Sequence, residues 1–168
     1  MQKKIVLLGA PGVGKTSLVR QFVESLFDAA YLTTIGVKVD KKRVEVGGQD
    51  VTLMLWDIAG AEAHFTVPAS YVRGASGYLL VVDATRPDTL DDGLDLVDRH
   101  TDTLAGAPGI LLLNKADLVH DWRAVEAAVA ADGRWRGHVI RTSAKTGEGV
   151  EAAFQQVAHA AAPGTPLV

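Results

Sequence analysis

The chain of 168 residues contains no cysteine. Disulfides, thiolate metal sites, palmitoylation and prenylation are therefore excluded for the chain as it stands. No apolar run approaches the ~18 residues of a membrane span, and Met1-Gln2-Lys3-Lys4 precedes an apolar stretch too short for a secretory signal. Gln2, where an acyl chain would need glycine, removes myristoylation. A dominant basic stretch is missing as well: 17 Lys and Arg stand against 20 Asp and Glu, for a formal net charge of −3. That balance argues against a nucleic-acid surface. Together these absences predict a cytoplasmic protein with no lipid anchor in this chain.

Residues of the apolar set make up 48% of the chain, enough for the core of one domain. Apolar runs at Ile5–Leu8, Val51–Trp56, Tyr78–Val82, Ile110–Leu113 and His138–Ile140 alternate with helical patterns. Runs bare of polar residues are what parallel strands covered on both faces look like, so the fold class is α/β. The first helix carries Leu18, Val19, Phe22, Val23 and Leu26 on one stripe, and a later one Leu90, Leu94 and Val97, with Asp91, Asp92, Asp95 and Asp98 on its solvated side. Val150, Phe154, Val157 and Ala158 line the last helix, which Pro163-Gly164-Thr165-Pro166 ends.

Val37–Val46 and Val51–Trp56, joined through Gly47-Gly48-Gln49, break the alternation and read as a β-hairpin. Val37 and Val39 lie on one parity and Val44 and Val46 on the other, which predicts a bulge or a change of burial near Lys41-Lys42-Arg43. Those three basic residues guard an exposed edge strand from pairing, the alternative being a dock for an acidic partner.

Gly9-Ala10-Pro11-Gly12-Val13-Gly14-Lys15-Thr16 fits G-x-x-x-x-G-K-[ST] between a strand and a helix. Such a loop folds its backbone N–H groups around a phosphate chain while the helix points its positive dipole end at the same anion. The phosphate cradle is therefore Gly9, Pro11, Gly12, Val13, Gly14, Lys15, Thr16 and Ser17. Lys15 reaches the outer phosphates of a nucleoside triphosphate, and Thr16 supplies a hydroxyl to its Mg²⁺.

Asn114-Lys115-Ala116-Asp117 and Thr142-Ser143-Ala144-Lys145 each follow directly on a strand, at the edge of the sheet where open α/β folds bind ligands. A carboxylate at Asp117 can accept both N–H groups that guanine presents and adenine lacks in that arrangement. With the P-loop upstream, these motifs resemble the guanine-recognition pair of Ras-like small GTPases, closest to the Rab branch. The resemblance runs from about Lys4 to Ala158, taking in Ser70-Tyr71-Val72-Arg73-Gly74-Ala75 and Val82-Asp83-Ala84-Thr85. It implies a Ras-like G domain over residues 1–162 with a short tail at 163–168. The sheet would have six strands, one an antiparallel edge strand, with about five helices. GTP or GDP with Mg²⁺ would be the bound ligand, and the protein a monomer.

The resemblance also assigns roles. Asn114 would brace the base pocket, the Lys115 stem would lie along the base, and the Ala144 N–H would meet the guanine O6. Ser143 and Lys145 belong to the same pocket, with Phe27 edge-on to the base. Tyr31 and Thr34 fall in the first switch, Thr34 joining Mg²⁺ and the γ-phosphate. Asp57 would hold a Mg²⁺ water, and Gly60 would touch the γ-phosphate. Effector, exchange factor and GTPase-activating protein would dock on Asp28–Val39 and Gly60–Arg73. Two loops that lose a partner when the γ-phosphate leaves make a molecular switch.

Three departures modify that picture. After Gly60 most relatives carry the Gln that orients the attacking water, and here Ala61-Glu62 follows. A methyl group orients nothing, so binding should survive while hydrolysis slows. His64, or Glu62, is the candidate substitute. No Arg occurs from Asp28 to Ile35 to serve in cis. Pro11 removes one N–H from the cradle. The tail lacks lipid-anchor cysteines, as in soluble prokaryotic Ras-like GTPases or a shortened chain. The expected function is a guanine-nucleotide switch with slow intrinsic GTPase activity, the catalytic positions being Lys15, Thr34, Gly60, Ala61 and His64. Its alternative is a GTP-binding interaction module without meaningful turnover.

Overall fold

The computed structural model describes residues 1–27, 36–59 and 66–162. Six strands form one sheet: β1 (Gln2–Leu8), β2 (Val37–Val46), β3 (Gln49–Ile58), β4 (Gly77–Asp83), β5 (Gly109–Asn114) and β6 (His138–Arg141). Their order is β2-β3-β1-β4-β5-β6. Every pairing is parallel except β2 with β3. The mixed sheet with one antiparallel edge strand is thus as the sequence predicts.

Six helices are found among the described residues rather than about five: α1 (Lys15–Glu24), α2 (Ala69–Val72), α3 (Asp88–Arg99), α4 (Thr101–Leu104), α5 (Trp122–Asp132) and α6 (Val150–Ala161). Two of these, α2 and α4, are single turns of four residues, too short for a periodic pattern to reveal.

β4 is buried along its whole length, and so is β1 from Ile5 to Leu8. Because side chains alternate, each strand feeds two cores. Ile5, Leu7, Leu79 and Val81 pack against α1 and α6, where Phe22 and Phe154 stack with ring centres 4.1 Å apart. Val6, Leu8, Leu80 and Val82 meet Leu90 and Leu94 of α3 on the other face. Asp91, Asp92, Asp95 and Asp98 of α3 are exposed, as the helical period requires.

Two readings of the sequence need correcting or narrowing. Helix α1 stops at Glu24 because Ser25 turns to the left-handed region (φ 55°), so Leu26 leaves the inner stripe and is 51% exposed. The hairpin has no bulge: Val37 pairs with Ile58 and Val46 with Gln49 in unbroken register, through the two-residue turn Gly47-Gly48. Both glycines have positive φ (56° and 80°), as a primed hairpin turn requires. The parity shift is instead a change of burial, with Val44 buried in the α1 core and Val39 41% exposed on the edge strand.

Candidate functional site

The P-loop joins the buried end of β1 to α1, and two of its glycines are required by contact. A Cβ on Gly9 would collide with the Val81 carbonyl oxygen, and one on Gly14 with Asn114 Nδ2. Gly14 also has φ 102°, where a side chain is strained. Gly14→Ala should therefore push Asn114 off the loop and weaken GDP binding by roughly 1–3 kcal/mol. Equilibrium titration checks this, and unchanged affinity would mean the contact relaxes without consequence.

Lys15, 6% exposed, folds back so that its ammonium donates to the Gly9 carbonyl at 2.9 Å and the Ala10 carbonyl at 3.1 Å. Burial lowers its pKa to about 8, with the nearby Asp57 carboxylate pulling the other way. The Thr16 hydroxyl donates to Asp57 Oδ2 at 2.6 Å, across 41 residues of sequence. Asp57 is fully buried near the end of β3. The strand that ends there is tied to the start of β2 by Ala59 N–H donating to the Gly36 carbonyl at 2.8 Å. The sheet thus brings Lys15, Thr16 and Asp57 to one point.

The residues expected to read the base are assembled at the ends of β5 and β6. Asn114, 1% exposed, donates through Nδ2 to the Val13 carbonyl at 2.8 Å and accepts from the Thr142 hydroxyl at 3.0 Å. One amide therefore holds the P-loop to both motifs. Lys115 takes a left-handed conformation (φ 63°) that turns the chain into a short 3-10 turn, Ala116–Leu118. Its ammonium donates to the Gly12 carbonyl at 2.9 Å. The Ser143 hydroxyl donates to Asp117 Oδ1 at 2.7 Å and accepts from Thr146 N–H at 3.1 Å, which aims the carboxylate. Ala144 is buried and Lys145 exposed. Phe27 lies three residues past α1 and is 41% exposed.

Gly9, Gly12, Val13, Gly14, Lys15, Thr16, Asp57, Asn114, Lys115, Asp117 and Ser143 thus fall into one connected site. Tyr31, Thr34, Gly60, Ala61, Glu62 and His64 lie outside the described residues, as do residues 28–35 and 60–65 of the two expected partner-docking stretches and the tail. Sequence reasoning assigned no role to Asp83 or Arg86. Both contact this site, and an Asp ending a fully buried strand is the signal that could have drawn attention to them.

A phosphate loop at the end of a central parallel strand, with a lysine and a hydroxyl at the head of the following helix, defines a P-loop nucleotide-binding protein. No helix among the described residues is long and apolar enough to cross a membrane. The model of the Ras family matches residues 4–162. The chain is 36% identical over 156 residues to "GTP-binding protein ypt1" of Schizosaccharomyces pombe, covering 90% of this chain and 75% of that one. It is 35% identical over 160 residues to "Ras-related protein Rab-13" of Mesocricetus auratus, covering 93% and 78%. With "Ras-related protein RABE1e" of Arabidopsis thaliana the figures are 34% over 160 residues, 92% and 72%. The chain belongs to the Ras family and is a GTP-binding small GTPase of the Rab branch.

Proposed function

We propose that the protein is a guanine-nucleotide switch that stays loaded because its own hydrolysis of GTP is slow. The observation that supports it best is the junction of Thr16 with the buried carboxylate of Asp57, beside Lys15 and a P-loop lashed to Asn114. Asp117 would accept from guanine N1–H and the exocyclic amine, with Ser143 holding its other lone pairs in place. Phe27, Lys145 and the Ala144 N–H would complete the base pocket.

The donors near Asp57 are hard oxygens, which suits Mg²⁺. Thr16 and Thr34 would hold the ion directly and Asp57 through water. When bound, Mg²⁺ would neutralise phosphate charge. The chain's own contribution is position: the cradle orients the phosphates, Lys15 leaves its carbonyl partners for the outer phosphates, and Thr34 and Gly60 meet the γ-phosphate. Because Thr34 precedes Gly36 by two residues and Gly60 follows Ala59 in sequence, and Ala59 N–H donates to the Gly36 carbonyl, loss of the γ-phosphate would release two segments joined at that bond. Effector, exchange factor and activating protein would read Asp28–Val39 and Gly60–Arg73.

Slow turnover follows from Ala61. With the orienting amide gone, Ala61→Gln should raise single-turnover GTP hydrolysis about tenfold or more. Equal rates would mean that another group, such as His64, already places the water. The same missing amide favours a second reading, an interaction module that binds GTP and does not turn it over. Phosphate release above the uncatalysed rate in a single-turnover measurement would remove that reading.

A further inference from the structure

Arg86 lies in the turn between β4 and α3, 75 residues from the P-loop, yet its Nη2 donates to the Pro11 carbonyl at 3.1 Å. The same guanidinium donates through Nε to Asp83 Oδ2 at 3.1 Å. Asp83 is 2% exposed at the end of β4. Its Oδ1 accepts from Thr85 N–H at 2.9 Å and the Thr85 hydroxyl at 2.6 Å. Oδ2 also pairs with the Lys115 ammonium at 2.9 Å. Burial pushes the Asp83 carboxyl up, but hydrogen bonds from Thr85, Lys115 and Arg86 outweigh it and hold the group below its ordinary value. Asp83 is thus an anionic post carrying two cations, and each cation takes one of two consecutive P-loop carbonyls: Arg86 that of Pro11, Lys115 that of Gly12.

The physical consequence follows from peptide geometry. The chain has no cis peptide bond among the described residues. In a trans peptide the C=O and the following N–H point to opposite sides, so a Pro11 carbonyl held toward Arg86 turns the Gly12 N–H away from it. A cation on the carbonyl also polarises the unit and makes that N–H a better donor. Pro11 has no N–H of its own, so its carbonyl is the one backbone group by which this residue can be fixed through a hydrogen bond.

We propose that Arg86, anchored by Asp83, is a positioning residue for the phosphate chain: it holds the Pro11 carbonyl outward so that the Gly12 N–H is presented to the phosphates beyond the first. The inference rests on the guanine-nucleotide reading of the site. Arg86 makes no hydrogen bond to Asn114, Asp117, Ser143 or Lys15 among the described residues and meets Lys115 only through the shared Asp83 Oδ2, so its removal acts first on phosphate retention. Its side chain is 44% exposed, which limits the effect by screening.

The test compares the unaltered protein with Arg86→Gln and Arg86→Lys, all loaded with GDP and Mg²⁺. Arg86→Gln should release a fluorescent GDP analogue about five- to tenfold faster, the size of one charge-assisted hydrogen bond at a part-exposed site. GMP affinity should be unchanged, since the nucleotide then ends at its first phosphate. The Gly12 amide proton should move upfield by NMR as its peptide loses the cation. Arg86→Lys keeps the charge but cannot fork between Pro11 and Asp83, and its release rate should fall between the two. Unchanged GDP release in Arg86→Gln would overturn the proposal, and so would an equal loss of GMP and GDP affinity, which marks a general loosening of the site. Release from Arg86→Lys at the unaltered rate would overturn the forked geometry. Failure of the unaltered protein to bind GDP would sink the guanine-nucleotide reading itself, which separates that failure from failure of the Arg86 inference.

Discussion

Lys15→Met is expected to lower GDP and GTP affinity on the order of a thousandfold, because it would remove the charge-assisted hydrogen bonds proposed between the buried ammonium and the outer phosphates. The same change should do the opposite to the empty protein. Burial of the ammonium lowers its pKa from 10.5 to about 8, with Asp57 opposing. Below pH 8 both folded and unfolded chains carry the proton, and the folded state bears the full penalty, roughly 3 kcal/mol. Between pH 8 and 10.5 the folded chain has shed the proton and the unfolded chain is still losing it, so the penalty fades. Above that range it is gone.

Methionine fills the same channel with no charge, though the Gly9 and Ala10 carbonyls lose a donor and offset part of the gain. The nucleotide-free, chelator-treated variant should therefore melt higher than the unaltered protein at pH 7, with the gap closing toward pH 10.5. A variant that still retains GDP, or one less stable at pH 7, would contradict this account of Lys15. The expected pair of results, higher stability when empty and weaker nucleotide binding, would mark a site whose strain is held for a phosphate to relieve.

Asp117→Asn should cost guanine nucleotides on the order of a thousandfold in affinity, because the carboxylate proposed to accept two N–H groups would be replaced by an amide that sets a donor facing a donor. The amide keeps an oxygen for Ser143, whose hydroxyl sits 2.7 Å from Asp117 Oδ1, so the local fold should hold. Xanthine presents a carbonyl where guanine has its amine, and xanthosine diphosphate should gain affinity in the variant. Competition between GDP and xanthosine diphosphate for the two proteins measures both effects. Equal losses for both nucleotides would mean that Asp117 supports the turn and does not read the base.

These two residues illustrate how much could be read from the chain alone. Lys15 and Asp117 belong to short stretches in which residue type and spacing carry the chemistry: glycines where the backbone must approach a phosphate, a lysine at the head of a helix, a carboxylate after a strand. Such signals are local and survive without coordinates. The hairpin was legible for the same reason, since Gly47-Gly48 between two apolar runs is a turn with a mechanism. Its missing bulge was not, because parity along β2 reports burial and pairing together. Only the tertiary structure separates them: Val37 to Val46 pair without interruption, and Val44 is buried in the core shared with α1 and α6 while Val39 is left out.

By itself, then, the sequence determined the class of fold, the phosphate-loop motif, the two motifs expected to read the base, and the absence of a thiol or of a glutamine after Gly60. The tertiary structure alone decided which of these groups meet. Asn114 holds the Val13 carbonyl across 101 residues, Thr16 reaches Asp57 across 41, and Arg86 reaches Pro11 across 75. No periodicity or spacing encodes such contacts. They follow from the strand order β2-β3-β1-β4-β5-β6, which sets β1 between β3 and β4 and so gathers the ends of distant strands around one loop.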